Sequence, residues 1–406
     1  MIGGLPLDFR YRDIPSIYFD RINQAVIEVM KQGTGTGIPF TFPLLTVPID
    51  DAFDYENRLF LEMLDGMYRW GGVYFENFQT EPFENERYRR LNPYIKPRDP
   101  EVSRSLCCRL QIDLTVLSRL GSGIFGSSTG STGAVQVLNL NLNRVLLEYG
   151  HDERVLFSQI EEFLNAMQEG LINIGYPGGM NNETGQRLAH RIMQFMTEKI
   201  NEFVVRDQVA CGIEYAPGEN AAIKLARHDM KWAKHNNRDI FVQGTGENVY
   251  LTSGCMLPFS EDDFLRQIEN SAEFQAYATS GSILHHFLES KLPPKQLADY
   301  LRKIFDKPIQ YITLTPTLTS CLECGQQIVA EDGKNISTCP VCGSDDIATF
   351  SRVIGYVKMI ARKRLQVDKE GYYTGEFNFW SNARRFDWNT RKRLKEETID
   401  SVSIKT

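Results

Sequence analysis

Four cysteines near the C-terminal end constrain this chain more than any other feature. They read Cys321-x2-Cys324-x14-Cys339-x2-Cys342, and Gly325 and Gly343 trail the two pairs. Two tight turns at that spacing can bring four thiolates to one tetrahedral Zn²⁺, so Cys321, Cys324, Cys339 and Cys342 are read as a structural metal site. Half of the chain's 8 cysteines stand there. Two close doublets argue against both a pair of disulfides and four idle thiols. A small C-terminal zinc module, residues 317–406, is therefore expected after a larger portion, residues 1–316.

The 406 residues are 42% hydrophobic, enough for one large core or two to three smaller ones. A net charge of −7, with Lys and Arg spread rather than striped, gives no electrostatic reason to expect nucleic acid. No apolar run approaches the length of a membrane span, and the first residues lack the basic and apolar regions of a secretory signal. Unpaired Cys211 and Cys255 beside the metal quartet fit a reducing cytoplasm, where the two Asn-x-Ser/Thr sequons stay unmodified.

Short apolar strands alternate with helical patterns, which indicates α/β architecture with largely parallel strands. A helix is expected over 15–32, with Tyr18, Ile22, Ala25, Val26 and Val29 on one face. Pro39, Pro43 and Pro48 make the next apolar stretch extended. Further helices are expected over 54–70, 151–171, 184–206 and 293–305. Strands are expected at 73–75, 134–140, 212–215, 248–252, 282–288 and 311–314. No internal repeat and no low-complexity linker is present.

Several residues could carry chemistry. The vicinal pair Cys107-Cys108 has Arg104 and Arg109 on either side and a glycine-rich stretch, 121–133, after it, which suits a loop tip better than a core strand. Gly121-Ser122-Gly123-Ile124-Phe125-Gly126 lacks the Gly-Lys-Ser/Thr of a P-loop, and Gly33-Thr34-Gly35-Thr36-Gly37 reads as a flexible turn. Adjacent His285 and His286 on a strand point to opposite faces, so they are read as structural. No Gly-x-Ser-x-Gly elbow or His-Glu-x-x-His helix occurs. Gly355, in the apolar run Val353-Ile354-Gly355-Tyr356-Val357, would ordinarily mark a bulge or a close backbone approach.

The Arg104–Leu110 segment, the four-cysteine knuckle and Arg352-Val353-Ile354-Gly355-Tyr356 come in an order that resembles the anaerobic (class III) ribonucleoside-triphosphate reductases, which are glycyl-radical enzymes. Other matching segments are Pro39–Pro43, Tyr74–Phe78, Gly123–Gly126 with Thr132-Gly133, Glu214–Glu219, Tyr250–Gly254 with Leu257-Pro258, Gly281–Leu288 and Thr313–Thr317. The likeness touches nearly the whole chain. It implies part of a ten-stranded α/β barrel with a cysteine finger loop near 104–110, and a C-terminal domain carrying zinc and a glycyl-radical loop.

The resemblance also implies roles. Gly355 would store a radical made by a radical-SAM iron–sulfur activase, and Cys108 would become the transient thiyl, with Cys107 as the alternative. Thr252, Ser253 and Gly254 would face the phosphates of a ribonucleoside triphosphate, or form an ordinary strand-to-helix turn. Glu219 is either a polar active-site group or a charge favoured at a helix start. Family members carry a sizeable N-terminal region with the first barrel strands and a second reducing residue. This chain resembles the portion C-terminal to that region, so a separate N-terminal reductase polypeptide is an expected partner, and a homodimer is left open. The segment 172–183 looks shortened relative to the family. The rival expectations are a glycyl-radical enzyme of another substrate class and a non-catalytic zinc-binding remnant.

Overall fold

The computed structural model describes residues 4–6, 16–35, 37–40, 44–100, 103–105, 111–113, 141–152, 166–207, 212–215, 219–252, 254–328, 336, 338–352, 357–362, 366–367, 373–374 and 381–401. The chain divides into two units, one formed by Met1–Gln79 with Leu284–Thr406 and the other by Thr80–Ile283. Among the described residues no helix is long and apolar enough to cross a membrane.

The first unit is built on a six-stranded sheet in the order Gly4–Pro6, Leu44–Ile49, Val73–Asn77, Tyr311–Thr315, Leu284–Leu288, Arg393–Leu394. Neighbours run parallel except at the centre, where Val73–Asn77 and Tyr311–Thr315 meet antiparallel. These two central strands are buried along their whole length, which is why they read as unbroken apolar runs with little alternation. The expected strand–helix–strand unit is present: Leu284–Leu288, the helix Pro294–Phe305, then Tyr311–Thr315. Proline opens that helix, where its missing N–H is no loss, and Leu297, Leu301, Ile304 and Phe305 are buried. The helix Arg58–Gly66, upstream of the Val73–Asn77 strand, is capped by Asn57, whose side chain accepts from the N–H groups of Leu59 and Phe60.

One helix face departs from expectation. The helix Ser16–Gln32 forms as its periodicity predicts, but Tyr18, Ile22 and Val29 are more than half exposed while Asn23, Ile27 and Met30 are buried. An apolar stripe identifies a helix without fixing which face its neighbours take.

His285 and His286 are both buried in their strand, and His286 Nδ1 lies 2.9 Å from the Tyr300 hydroxyl. Full burial lowers the His286 pKa from 6.5 to about 3. The folded state therefore takes this proton later than the unfolded chain does. Its contribution is intact above about pH 6.5 and erodes as pH falls toward 3, by about 1.4 kcal/mol per pH unit. Denaturation curves at pH 6.5, 5.5 and 4.5 should show this slope in the native chain and a shallower one in His286→Gln.

A second sheet in this unit is antiparallel throughout, in the order Gln327–Ile328, Leu318–Cys321, Ile347–Arg352, Val357–Arg362. Its apolar centre is Leu318, Ala348, Phe350 and Val357.

The other unit is mainly helical. Glu183–Asp207 packs Leu188, Ala189, Ile192, Met193 and Met196 into a core shared with Leu142, Leu146, Met167, Leu171, Tyr215, Phe274 and Tyr277. A helix occupies Leu142–Tyr149, upstream of the expected 151–171 helix, whose described part is helical only over Met167–Asn173. Asn248–Tyr250 pairs antiparallel with Gln243–Thr245 across a two-residue Gly246-Glu247 loop, so it is the arm of a short hairpin and adds no strand to a parallel sheet. The strand expected at 212–215 is reduced to one parallel bridge between Glu214 and Gly281. The expected 121–133 loop and 134–140 strand lie outside the described residues.

Candidate functional site

The four predicted metal ligands converge. The sulfurs of Cys321, Cys324, Cys339 and Cys342 all lie within 4.8 Å of one another, with two separations of 3.6 Å. Four thiolates about 2.3 Å from a tetrahedral zinc would stand about 3.8 Å apart, whereas a disulfide would bring two sulfurs to about 2.05 Å. The cluster therefore fits a metal and does not fit cystines. Each doublet closes its own turn: Gly325 N–H donates to Cys321 O and Gly343 N–H to Cys339 O. Backbone donors on Cys342 and then Val341 lower the Cys339 thiol to about 7, whereas the Cys324 thiol is raised and the Cys342 thiol is pushed up to about 12, so a bound cation is what would bring all four to thiolates. Cys321 and Cys339 are buried with Ile328 and Ile347, while Cys324 and Cys342 face solvent.

The glycine-rich 33–37 segment, expected to be a flexible turn, is instead tied to this centre. Ser320 Oγ donates to the Gly37 carbonyl over 2.5 Å, and Thr34 closes the segment by donating from N–H and Oγ1 to Ile38 O.

From the metal turns the chain runs through Ile347–Arg352 and returns along Val357–Arg362, with Arg352 paired to Val357. Gly355 lies outside the described residues, in the four-residue link between those partners. Cys107 and Cys108 also lie outside them, and their context is similar: Ser105 pairs with Gln111 at the end of the antiparallel pair Ser103–Ser105 and Gln111–Asp113, leaving 106–110 as the link. Both predicted radical positions therefore fall between the arms of antiparallel strand pairs.

In the second unit Thr252 is held from three directions by the start of the Met167–Asn173 helix. Its N–H and Oγ1 donate to Glu169 Oε1 at 3.0 and 2.7 Å, and its carbonyl accepts from Ala166 N–H at 3.1 Å. Glu169 is wholly buried, and burial raises its carboxyl above the ordinary range. Ala166 makes the turn at a left-handed φ of 70°, a strained conformation for a residue with a Cβ. Gly254 comes two residues after Thr252, packed on the Tyr215 ring; Ser253 lies outside the described residues. Glu219 opens the helix Glu219–His235, and its side chain also lies outside the described residues. Cys255 is fully buried, its thiol pushed up to about 12 by burial, which makes it an inert core group. Sequence reasoning missed Glu169: one acid beside Gln168 in the mixed stretch Ala166–Ile172 carries no signature.

A comparison with protein-family models decides the relationship. The model for anaerobic ribonucleoside-triphosphate reductase matches residues 16–176 and 166–369, a span containing the Cys107-Cys108 pair, the four-thiol centre and Gly355. The chain belongs to the anaerobic ribonucleoside-triphosphate reductase family. None of the curated proteins compared with it matches. Among solved structures, an anaerobic ribonucleotide reductase is similar at a TM-score of 0.57 and 14% identity, over 95% of this chain and 61% of that one. The Thermotoga maritima anaerobic ribonucleotide reductase with MES in its active site gives 0.58 and 15%, over 85% of this chain and 58% of that one. The same enzyme in complex with dATP and CTP gives 0.52 and 15%, over 87% and 60%. These likenesses show a shared mixed α/β fold. The chain spans 61% and 58% of the first two reductases' lengths.

Proposed function

We propose that this chain carries the radical chemistry of an anaerobic ribonucleotide reductase. The observation that carries the reading is the family match, whose first span, 16–176, includes Cys107-Cys108 and whose second, 166–369, includes the four-thiol centre and Gly355. In this reading a radical-SAM activase removes one hydrogen atom from the Gly355 Cα. The resulting radical spreads over two flanking amides, a planar arrangement that a bare α-carbon permits. Cys108 then gives its thiol hydrogen to that carbon and becomes the thiyl, with Cys107 as the alternative donor.

The thiyl takes the 3′ hydrogen of the ribonucleotide, regenerating S–H and leaving a carbon radical. The 2′ hydroxyl, once protonated, leaves as water. Two electrons and two protons from formate or a thiol donor complete the change, and the 3′ hydrogen returns from the thiol. The Thr252–Gly254 turn is proposed to face the substrate phosphates. Both donors of Thr252 point to Glu169, so Thr252 is assigned the anchoring of that turn. Glu219 is proposed as a polar group of the same pocket. Zinc on Cys321, Cys324, Cys339 and Cys342 would supply no redox chemistry; it would fix the sheet that leads to Gly355. Six strands of the main sheet fall among the described residues, and the ten-stranded barrel is proposed to be completed by a separate polypeptide carrying the family's N-terminal region.

The test is anaerobic turnover. The chain, with that polypeptide, an activase and formate or dithiothreitol, should convert ribonucleoside triphosphates to deoxyribonucleotides. Gly355→Ala and Cys108→Ser should each lower the rate by at least about 10³-fold, and Cys107→Ser by less than about tenfold. Deoxyribonucleotide formation at an undiminished rate by Gly355→Ala would refute the proposal.

A further inference from the structure

Arg352 is the last described residue before the link that contains Gly355, and it is among the largest fully buried side chains, at 1% exposure. A guanidinium carries five N–H donors in a fixed fork, so burying one demands a matching set of acceptors. Nε donates to Gly71 O at 3.1 Å, Nη2 to Gly72 O at 3.3 Å, and Nη1 to the Tyr74 hydroxyl. The guanidinium carbon also stands 4.4 Å from the centre of the Tyr74 ring, a cation–π distance, and Tyr74 stacks in turn on Tyr311.

The acceptors are arranged by an unusual backbone. Gly71 and Gly72 both adopt left-handed φ, 93° and 94°, which turns their carbonyls to Arg352. A Cβ on Gly72 would stand 2.2 Å from Leu314 O, and one on Gly71 would stand 2.5 Å from Val357 Cγ2. Val357 is the residue paired with Arg352 across the link. The Gly71-Gly72 turn therefore touches both ends of the link, gripping one through hydrogen bonds and the other through close packing. A third hold comes from Arg391, whose Nη1 donates to the Arg352 carbonyl at 2.9 Å. Arg391 is itself fixed by Asp387 at 2.9 Å and lies over the Phe287 ring.

We propose that Arg352, gripped by the Gly71-Gly72 turn and Arg391, is a positioning residue that sets the spacing and register of the 353–356 link and so places Gly355, a job separate from that of the metal centre. The placement of a radical rests on the functional reading above; the clamp on the link does not. An arginine that merely stabilised the fold would slow unfolding of the whole unit evenly. A clamp instead protects the link locally.

Hydrogen exchange separates the two, with zinc content as a control. In Arg352→Met, peptides covering 351–358 should exchange about tenfold faster than in the native chain, while those covering 284–315 keep native rates. Zinc per chain should be unchanged. Arg352→Lys keeps the charge but cannot reach three acceptors as a fork, and should recover little of the protection. Activase treatment should then give Arg352→Met at least about threefold less glycyl radical, read by electron paramagnetic resonance, than the native chain.

Native exchange at 351–358 in Arg352→Met, or acceleration spread evenly over 284–315, would overturn the clamp. Where Arg352→Met loses its zinc or its fold, Tyr74→Phe decides, since it removes one acceptor and keeps the ring: faster exchange at 351–358 supports the clamp, and native exchange overturns it. A native chain that forms no radical would sink the reading of Gly355, and the exchange rates would still decide the clamp.

Discussion

Cys339→Ser should lose its metal and, with it, the ability to store a radical, although Cys108 is untouched. Cys339 is buried beside Cys321, Ile328 and Ile347, so this ligand belongs to the small apolar cluster at the root of the strand leading to Arg352. A serine oxygen is a poor replacement for a thiolate on zinc, and three remaining thiolates would repel one another without the ion. Structural zinc supplies about 10–16 kcal/mol of apparent folding free energy in small zinc-finger peptides, far more than a short antiparallel sheet gains from its own apolar area. Elemental analysis should show zinc falling from about one per chain to less than about 0.2. The glycyl signal after activation should fall at least about tenfold. A variant without zinc that forms the radical and turns over at the native rate would show that the metal does not hold this arm.

The next largest effect is expected at Asp387. Its carboxylate is buried between Arg384 Nη1 at 2.8 Å and Arg391 Nη2 at 2.9 Å, and all three side chains are under a tenth exposed. Burial opposes the charge, but the two guanidinium groups outweigh it and hold the Asp387 carboxyl below its ordinary 3.8. Asp387→Ala leaves two buried cations without their shared counter-charge, which costs about 3–5 kcal/mol. Denaturant titration should show a lower midpoint with little change in slope. The sign of the pH dependence comes from the lowered carboxyl. The contribution is present above the unfolded carboxyl pKa and disappears as pH falls through the folded value, so the difference between native and variant chains should begin to shrink below about pH 4 and vanish only once the buried carboxylate itself is protonated. An Asp387→Ala chain as stable as the native one at pH 7 would mean that the two arginines find other partners.

The four-thiol centre is fully legible in the sequence because its information is local: two doublets 14 residues apart need only two turns to close. The strand–helix–strand unit around Pro294–Phe305 is equally readable, its parallel strands being continuous apolar runs and its helix opening on proline. The hidden part is non-local. Arg352 and Gly71 are 281 positions apart, and nothing in Trp70-Gly71-Gly72-Val73 announces that two carbonyls will turn toward a distant guanidinium. Glu169 and Thr252 meet across 83 positions in the same way. The helix Ser16–Gln32 shows a different limit: its apolar periodicity is real, yet Ile27 and Met30 face inward while Tyr18, Ile22 and Val29 face solvent. The 33–37 glycines look loose because composition reports local freedom and says nothing of the Ser320 hydroxyl that pins Gly37.

A radical stored at Gly355 has a spectroscopic signature and a chemical one. The chain should be incubated anaerobically with a radical-SAM activase and S-adenosylmethionine, frozen, and examined by electron paramagnetic resonance, then exposed to oxygen and weighed by mass spectrometry. A glycyl-type doublet should appear that is absent from Gly355→Ala, with two oxygen-generated fragments that meet at residue 355. An intact chain with no doublet, under conditions in which the same activase charges a known glycyl-radical protein, would contradict a radical stored at Gly355.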